Sequence, residues 1–133
     1  VIEEASRFVA EYTLAGKRVW EMKTPFPPFG AERLPDGNTL VSGRDGIIEV
    51  TPGKQTVWQL TKEDVKEMGP RWFAGFRLLP NGNIVVCNAG GKVLFFEVNR
   101  QKQVVWRSPL TKAQLGSAAH GFCLIPATKA RVP

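Results

Sequence analysis

The sequence has few of the residues that usually build metal or redox centres. It holds one histidine, His120, and two cysteines, Cys87 and Cys123, that form no C-x-x-C pair. The three residues match no familiar zinc-ligand spacing. Isolated cysteines of this kind are typical of small buried side chains, and this is favoured here over a disulfide or a metal site.

Long apolar runs and clusters of basic residues are also absent. No segment approaches the 18 or more apolar residues of a membrane span. The net charge is +6, but the 18 basic residues are scattered and form no basic run, which argues against nucleic-acid binding. The first residue is Val rather than Met, which is compatible with a removed signal peptide, hence with a periplasmic or secreted location, or with a fragment.

What the chain has is repetition within the length of a single domain. In 133 residues, a Gly lies five positions before a Pro three times, in Gly30–Pro35, Gly75–Pro80 and Gly121–Pro126. The first two copies continue as Asp-Gly-Asn and Asn-Gly-Asn, which predicts a hairpin with a type I′ turn. The third copy lacks that turn.

A second repeat is centred on tryptophan. A Glu precedes a Val-Trp pair by a fixed distance in three places, with nine residues from the Glu to the Trp: Glu11 and Trp20, Glu49 and Trp58, Glu97 and Trp106. Turn-forming and polar residues separate them, so each is predicted to be a strand, a tight turn and a second strand. Because these Glu and Trp residues recur at equivalent positions, we expect both sets to be structural.

Together the two repeats predict units of four short strands. The strands are expected at residues 30–34, 39–43, 46–51 and 55–60 in one full unit, and at 74–79, 83–88, 92–98 and 103–108 in the next. Short helical turns are expected at Thr61–Met68, with Thr61 and Asp64 in a capping arrangement, and at Thr111–Leu115. The third unit is predicted to be divided between the termini, with residues 1–20 supplying its last two strands and residues 119–133 its first.

Such sheets cannot bury both faces alone, and radial stacking of four-stranded units gives a β-propeller. The fold prediction is therefore all-β, with two full units (29–60 and 74–108) and one shared unit. Three units are too few to close a ring. We expect the chain to form a homo-oligomer, and the first choice is a dimer in which each chain supplies three of six units. Alternatively, its partner is the remainder of a larger propeller.

The Leu-Pro-Asn-Gly-Asn strand pair followed by Gly-Lys-x-Val-Trp resembles the blades of bacterial quinoprotein (PQQ)-like propellers, and the LPNGN element is similar to arylsulfotransferase-like propellers. Gly16 and Trp20 fit the spacing of the tryptophan docking motif of those blades. The resemblance implies a propeller fold with ligands at the axis or on the face formed by the loops. Chelating residues for a quinone cannot be identified, so no cofactor is predicted.

Residues at the start of each unit's first strand are the candidate site. His120 precedes the repeated Gly where the other units have Phe29 and Ala74, and the resemblance to arylsulfotransferase-like propellers implies channel histidines and arginines near such positions. Arg71 and Trp72 could form a cation and a flat surface for a planar or anionic ligand. Arg33, Arg77 and Arg44 are further anion-binding candidates.

Two functions from different classes remain. The first is a non-enzymatic β-propeller module that binds a ligand or a protein and assembles through the faces of its sheets. The alternative is a propeller enzyme of the quinoprotein or arylsulfotransferase-like kind, with a site around His120. A sequence with repeated structural residues and few unique polar groups favours the first.

Overall fold

A computed structural model describes residues 1–3, 5–110, 114 and 121–122 of the chain. The fold is all-β, with about 50% of the described residues in strands, and its antiparallel sheets are not closed barrels. The strands are β1 (Ile2–Glu3), β2 (Phe8–Tyr12), β3 (Arg18–Lys23), β4 (Pro28–Arg33), β5 (Thr39–Gly43), β6 (Gly46–Val50), β7 (Thr56–Thr61), β8 (Trp72–Leu78), β9 (Ile84–Ala89), β10 (Phe95–Val98) and β11 (Val104–Arg107).

The strands form three sheets in chain order. The first sheet is β1-β2-β3, the second β4-β5-β6-β7 and the third β8-β9-β10-β11, each pairing sequential neighbours. Within the two full units, the predicted strands agree with the observed ones to within two residues, except at β10. The prediction of two consecutive four-stranded units is therefore confirmed.

The sheets stack on one another through their faces. In β5, Leu40 packs into a core shared with the third sheet, whereas the next residue, Val41, packs into a core shared with the first. Successive strand residues point to opposite faces, so β5 is buried at every position because both faces of the second sheet are covered. The larger core lies between the second and third sheets and includes Ile47, Phe73 and Phe96.

We call the first two strands of each four-stranded sheet its inner hairpin, and the turn between them differs from the prediction. The Gly37 N–H donates to the Leu34 carbonyl at 3.0 Å, and only Gly37, with φ +91°, lies in the left-handed region. This is a type I turn followed by a left-handed glycine, so the type I′ prediction is wrong. Pro35 explains the difference, because it would be the first residue of a type I′ turn centred on Asp36-Gly37 and has no N–H to donate to the Asn38 carbonyl. The Leu34 N–H makes that bond instead, at 2.8 Å.

The outer hairpins, formed by the last two strands of each sheet, all have the same turn geometry. The left-handed residue is Gly16 in the first turn, Lys54 in the second and Lys102 in the third, with φ of +80°, +69° and +65°. A register shift follows the repeated Glu of each unit, as expected of a bulge at this kind of turn. Lys54 and Lys102 are thus the structural equivalents of Gly16, and each lies four residues before the Trp of its unit.

A 3₁₀ segment, Glu63–Met68, connects the second and third sheets where a helical turn was expected. Asp64 Oδ2 accepts hydrogen bonds from the Thr61 N–H at 2.8 Å and the Thr61 hydroxyl at 2.9 Å, which confirms the predicted capping pair. Burial alone would raise the pKa of Asp64, but these bonds and Lys102 outweigh it and lower that pKa overall. Of the second expected turn, Thr111–Leu115, only Gln114 is described, in helical conformation.

Strand β10 begins at Phe95, three residues later than predicted. Buried Asn88 explains the delay, because its side-chain amide donates to the Val93 carbonyl at 2.9 Å and to the Met68 carbonyl at 3.2 Å. The Val93 N–H in turn donates to the Met68 carbonyl at 3.0 Å. The N–H groups of Lys92 and Val93 therefore donate to the Gly69 and Met68 carbonyls, at the end of the 3₁₀ segment, rather than to the backbone of β9.

The N-terminal residues supply a strand that the sequence did not predict. In β1, Ile2 pairs with Val9 and occupies the edge of β2. Most of the segment expected to complete this unit, 119–133, lies outside the described residues. Of its described part, Phe122 makes an edge-to-face contact with Phe95 of the third sheet, with the ring centroids 5.6 Å apart.

Candidate functional site

The junction between the first and second sheets is built around Trp20. Its indole N–H donates to the Pro52 carbonyl in the outer turn of the second sheet at 3.0 Å. The Arg33 guanidinium lies 4.9 Å from the centre of the Trp20 ring, forms an ion pair with Glu11 and donates to the Gly37 carbonyl at 2.7 Å. One cation thus links two sheets through a ring, a carboxylate and a turn.

The next junction repeats this arrangement with a cation from another position. The Trp58 indole donates to the Arg100 carbonyl at 2.9 Å. The Arg100 guanidinium lies 5.2 Å from the Trp58 ring, contacts Glu49 at 2.5 Å and donates to the Gly82 carbonyl at 3.1 Å. Arg33 is on the first strand of its unit, whereas Arg100 is in the outer turn.

The repeated glutamates therefore have the structural role that their recurrence predicted. Glu49 Oε1 accepts from the Asn38 side-chain amide at 2.8 Å, and Glu97 Oε1 accepts from that of Asn83 at 2.6 Å. Each links the inner turn of its own unit to the strand that leads to the outer turn. Trp20 and Trp58 are likewise confirmed as contacts between sheets.

Trp106 belongs to the same series but lies at the end of the stack. It pairs across the strands with Glu97, as Trp58 does with Glu49, yet its side chain is 48% exposed. It borders an apolar groove of about 410 Å³ on the third sheet, lined by Leu79, Val85, Phe95, Glu97, Trp106, Ser108, Leu110 and Phe122. The equivalent face of the second sheet is covered by β8.

At the opposite edge of the sheets, the longer loops bring Arg71, Trp72 and Phe29 together. The Arg71 guanidinium lies 4.8 Å from the centre of the Trp72 ring, and the Phe29 and Trp72 ring centroids are 6.4 Å apart. The Asn88 side-chain oxygen accepts the Arg71 backbone N–H at 2.8 Å and fixes the start of β8. We call these three side chains the Arg71 shelf.

Arg71 differs from the other arginines that stack on aromatic rings. Arg18, Arg33 and Arg100 each form an ion pair with a glutamate, namely Glu21, Glu11 and Glu49. Arg71 is exposed, and within the described part of the chain it forms no ion pair. Among the described residues, its guanidinium therefore contacts a ring but no carboxylate.

The structure brings together only some of the predicted site residues. Arg71 and Trp72 are in contact, whereas Arg33 is occupied at the Trp20 junction. Arg77 is exposed near the other end of β8, about 20 Å along the strand from Arg71 at roughly 3.3 Å per residue. Arg44 is exposed and its N–H donates to the Pro27 carbonyl. His120 and Cys123 lie outside the described residues.

The Cys87 side chain is fully buried, as predicted for an isolated cysteine. Burial raises its pKa to about 11, so the thiol is protonated at neutral pH and is a poor nucleophile. Among residues 1–3, 5–110, 114 and 121–122, no group of three His, Cys, Asp or Glu side chains could hold a metal ion. No helix formed by these residues is long and apolar enough to cross a membrane.

Sequence reasoning missed Arg100 and the shared geometry of the two junctions. Arg100 is one of the turn-forming and polar residues between Glu97 and Trp106, to which the sequence assigned no individual role. A signal was present, since Arg100 and Pro52 both lie three positions after the repeated Glu. Repeat alignment finds equivalent positions, but it does not find a cation that comes from a strand in one unit and from a turn in the next.

The fold thus defines a class: an all-β protein of stacked, repeated antiparallel sheets. The chain is similar to a protein of unknown function from Bacteroides caccae, whose crystal structure it matches with a TM-score of 0.72 and 23% sequence identity. The match covers 86% of this chain and 46% of that protein, so the chain spans about half its length. No family model and no curated protein matches the sequence.

Proposed function

We propose that this protein is a non-enzymatic β-propeller module, which binds an anionic ligand at the Arg71 shelf and self-assembles through the faces of its sheets. The stacked repeats support the propeller architecture. The observation that carries the binding proposal is the unpaired guanidinium of Arg71 on the Trp72 ring.

The contrast between the stacked arginines supports a ligand role over a structural one. At the two junctions, a glutamate neutralises the arginine and fixes its guanidinium against the ring. The Arg71 shelf has the same cation and ring but no carboxylate among the described residues. A ligand that brings a carboxylate would complete the same three-part arrangement.

The geometry of the shelf indicates the chemical class of that ligand. A guanidinium binds a carboxylate through two parallel N–H donors. The Trp72 and Phe29 rings, tilted at 59° to each other, offer apolar surface beside it. The best fit is an aromatic or otherwise flat carboxylate, with the acid on Arg71 and the apolar body against the rings.

Calorimetric titration with benzoate tests this function on the whole chain. We expect Arg71→Met to weaken binding about tenfold or more, because it removes both N–H donors and keeps much of the apolar side chain. Arg77→Met is the matched control, since it removes an equal charge from an exposed position on the same strand. Equal binding by both variants, or no binding by the unmodified protein, would overturn the proposal.

A further inference from the structure

Each junction in the stack uses one indole donor and one turn carbonyl. Trp20 donates to the Pro52 carbonyl and Trp58 to the Arg100 carbonyl. Trp106 is the third member of the series and is half exposed. Among the described residues, no following turn accepts its indole N–H.

The first sheet carries the matching acceptor, the Leu14 carbonyl, which receives no hydrogen bond from the residues that the structure describes. In the Thr13–Lys17 turn, the Thr13 N–H donates to the Lys17 carbonyl at 2.8 Å, as the Thr51 N–H does to the Gln55 carbonyl at 2.9 Å. Leu14 lies three residues after Glu11, which is the position of Pro52 and Arg100 in the other units. Its apolar side chain is fully exposed.

The outer face of the third sheet, which no other described sheet covers, has the apolar surface that such a junction needs. Its groove is lined largely by apolar side chains, including Val85, Phe95, Trp106 and Leu110. Phe122 already rests on Phe95 in this groove. Phe122 follows the repeated Gly121, just as Phe76 follows Gly75, and Phe76 packs against the core between the second and third sheets.

We propose that the occupant of this face is the first sheet of a second copy of the chain, with the Trp106 indole donating to the Leu14 carbonyl of that copy. The same contact made in both directions closes two chains into a two-fold symmetric ring. The inference rests on the self-assembly in the proposed function and identifies its partner and contacts. The Bacteroides caccae protein supports it, because an equivalent of this chain fills 46% of that structure.

The new junction differs in charge from the two within the chain. Leu14 replaces the arginine found at Arg100, so an apolar side chain would face Trp106 in the groove. A contact of this kind depends on buried apolar area and is little screened by salt. The dimer is therefore expected to persist at high ionic strength.

Light scattering after size-exclusion chromatography tests the proposal on the full 133-residue chain. The expected mass is about 29 kDa, twice the 14.7 kDa of one chain. Leu14→Asp and Trp106→Ala should each yield the single-chain mass, since one places a charge in the groove and the other removes the donor. Val105→Lys, at an exposed neighbouring position on the opposite face of β11, should leave the dimer intact.

The outcomes separate this inference from alternatives. A single-chain mass for the unmodified protein overturns it. A dimer that tolerates Leu14→Asp but is lost with Trp106→Ala also overturns it, because two Trp106 faces would then be in contact. Benzoate binding distinguishes the two proposals, since Leu14→Asp should leave the Arg71 shelf unchanged and Arg71→Met should leave the mass unchanged.

Discussion

At the scale of single residues, the arginines of this protein divide by their partners. Arg33 and Arg100 lie on tryptophan rings and form ion pairs with Glu11 and Glu49. Glu49 is only 7% exposed, so its carboxylate depends on Arg100 and Asn38 for hydrogen bonds. Arg71 lies on the Trp72 ring and has no carboxylate partner among the described residues. The same residue type thus joins sheets in two places, and in a third we propose that it binds a ligand.

The Glu49–Arg100 ion pair should be energetically coupled. We expect Arg100→Met to reduce the free energy of unfolding by about 2 kcal/mol, because it leaves a nearly buried carboxylate short of a partner. Glu49→Gln should cost less, and the double variant should cost less than the sum. Urea unfolding at one fixed protein concentration gives the coupling energy, expected at ~1–2 kcal/mol.

The exposed pair Glu63–Lys66 is the control for this cycle. Its side chains are 79% and 68% exposed, and its coupling energy should be below about 0.5 kcal/mol. A Glu49–Arg100 coupling no larger than that of the control would contradict the assigned role.

At the scale of elements, sequence periodicity located the strands but not the turns between them. The spacing of Glu and Trp predicted the outer hairpins because both residues have a fixed place in every unit. The Asp36-Gly37 pair predicted a hairpin but the wrong turn type, since the missing N–H of Pro35 was not weighed. The late start of β10 depends on Asn88 bonds to a distant segment, which no local pattern can indicate.

The left-handed position in the outer turns provides a stability prediction. Lys54 carries a side chain at φ +69°, where glycine is favoured. We expect Lys54→Gly to raise the free energy of unfolding by up to ~1 kcal/mol, and Gly16→Ala to lower it by about the same amount. Thermal and urea unfolding of both variants measure this.

Gly53 gives the matched control, because it lies beside Lys54 but outside the left-handed region. A Cβ there would meet its nearest neighbour, the Thr51 hydroxyl, at an ordinary 3.7 Å. Gly53→Ala should therefore be close to neutral. A large loss from this change, with no gain from Lys54→Gly, would show that the turns are not equivalent.

At the scale of the whole molecule, the sheets form a stack in which, among the described residues, the Trp106 indole at one end and the Leu14 carbonyl at the other have no partner. The sequence predicted the two four-stranded units and the role of tryptophan between sheets. It could not place Trp72 beside Phe29, because these residues lie in different units and meet only after the sheets stack. His120, the sharpest candidate from the sequence, stays a prediction.

Hydrogen exchange of the indole N–H groups, followed by NMR, tests the central claim most directly. The account predicts slow exchange for Trp20 and Trp58, whose N–H groups are bonded to the next turn within the chain. Trp106 should exchange slowly in the unmodified protein and fast in Leu14→Asp, with Trp20 and Trp58 unchanged. Equal rates for Trp106 in the two proteins, or fast exchange at Trp20 and Trp58, would contradict it.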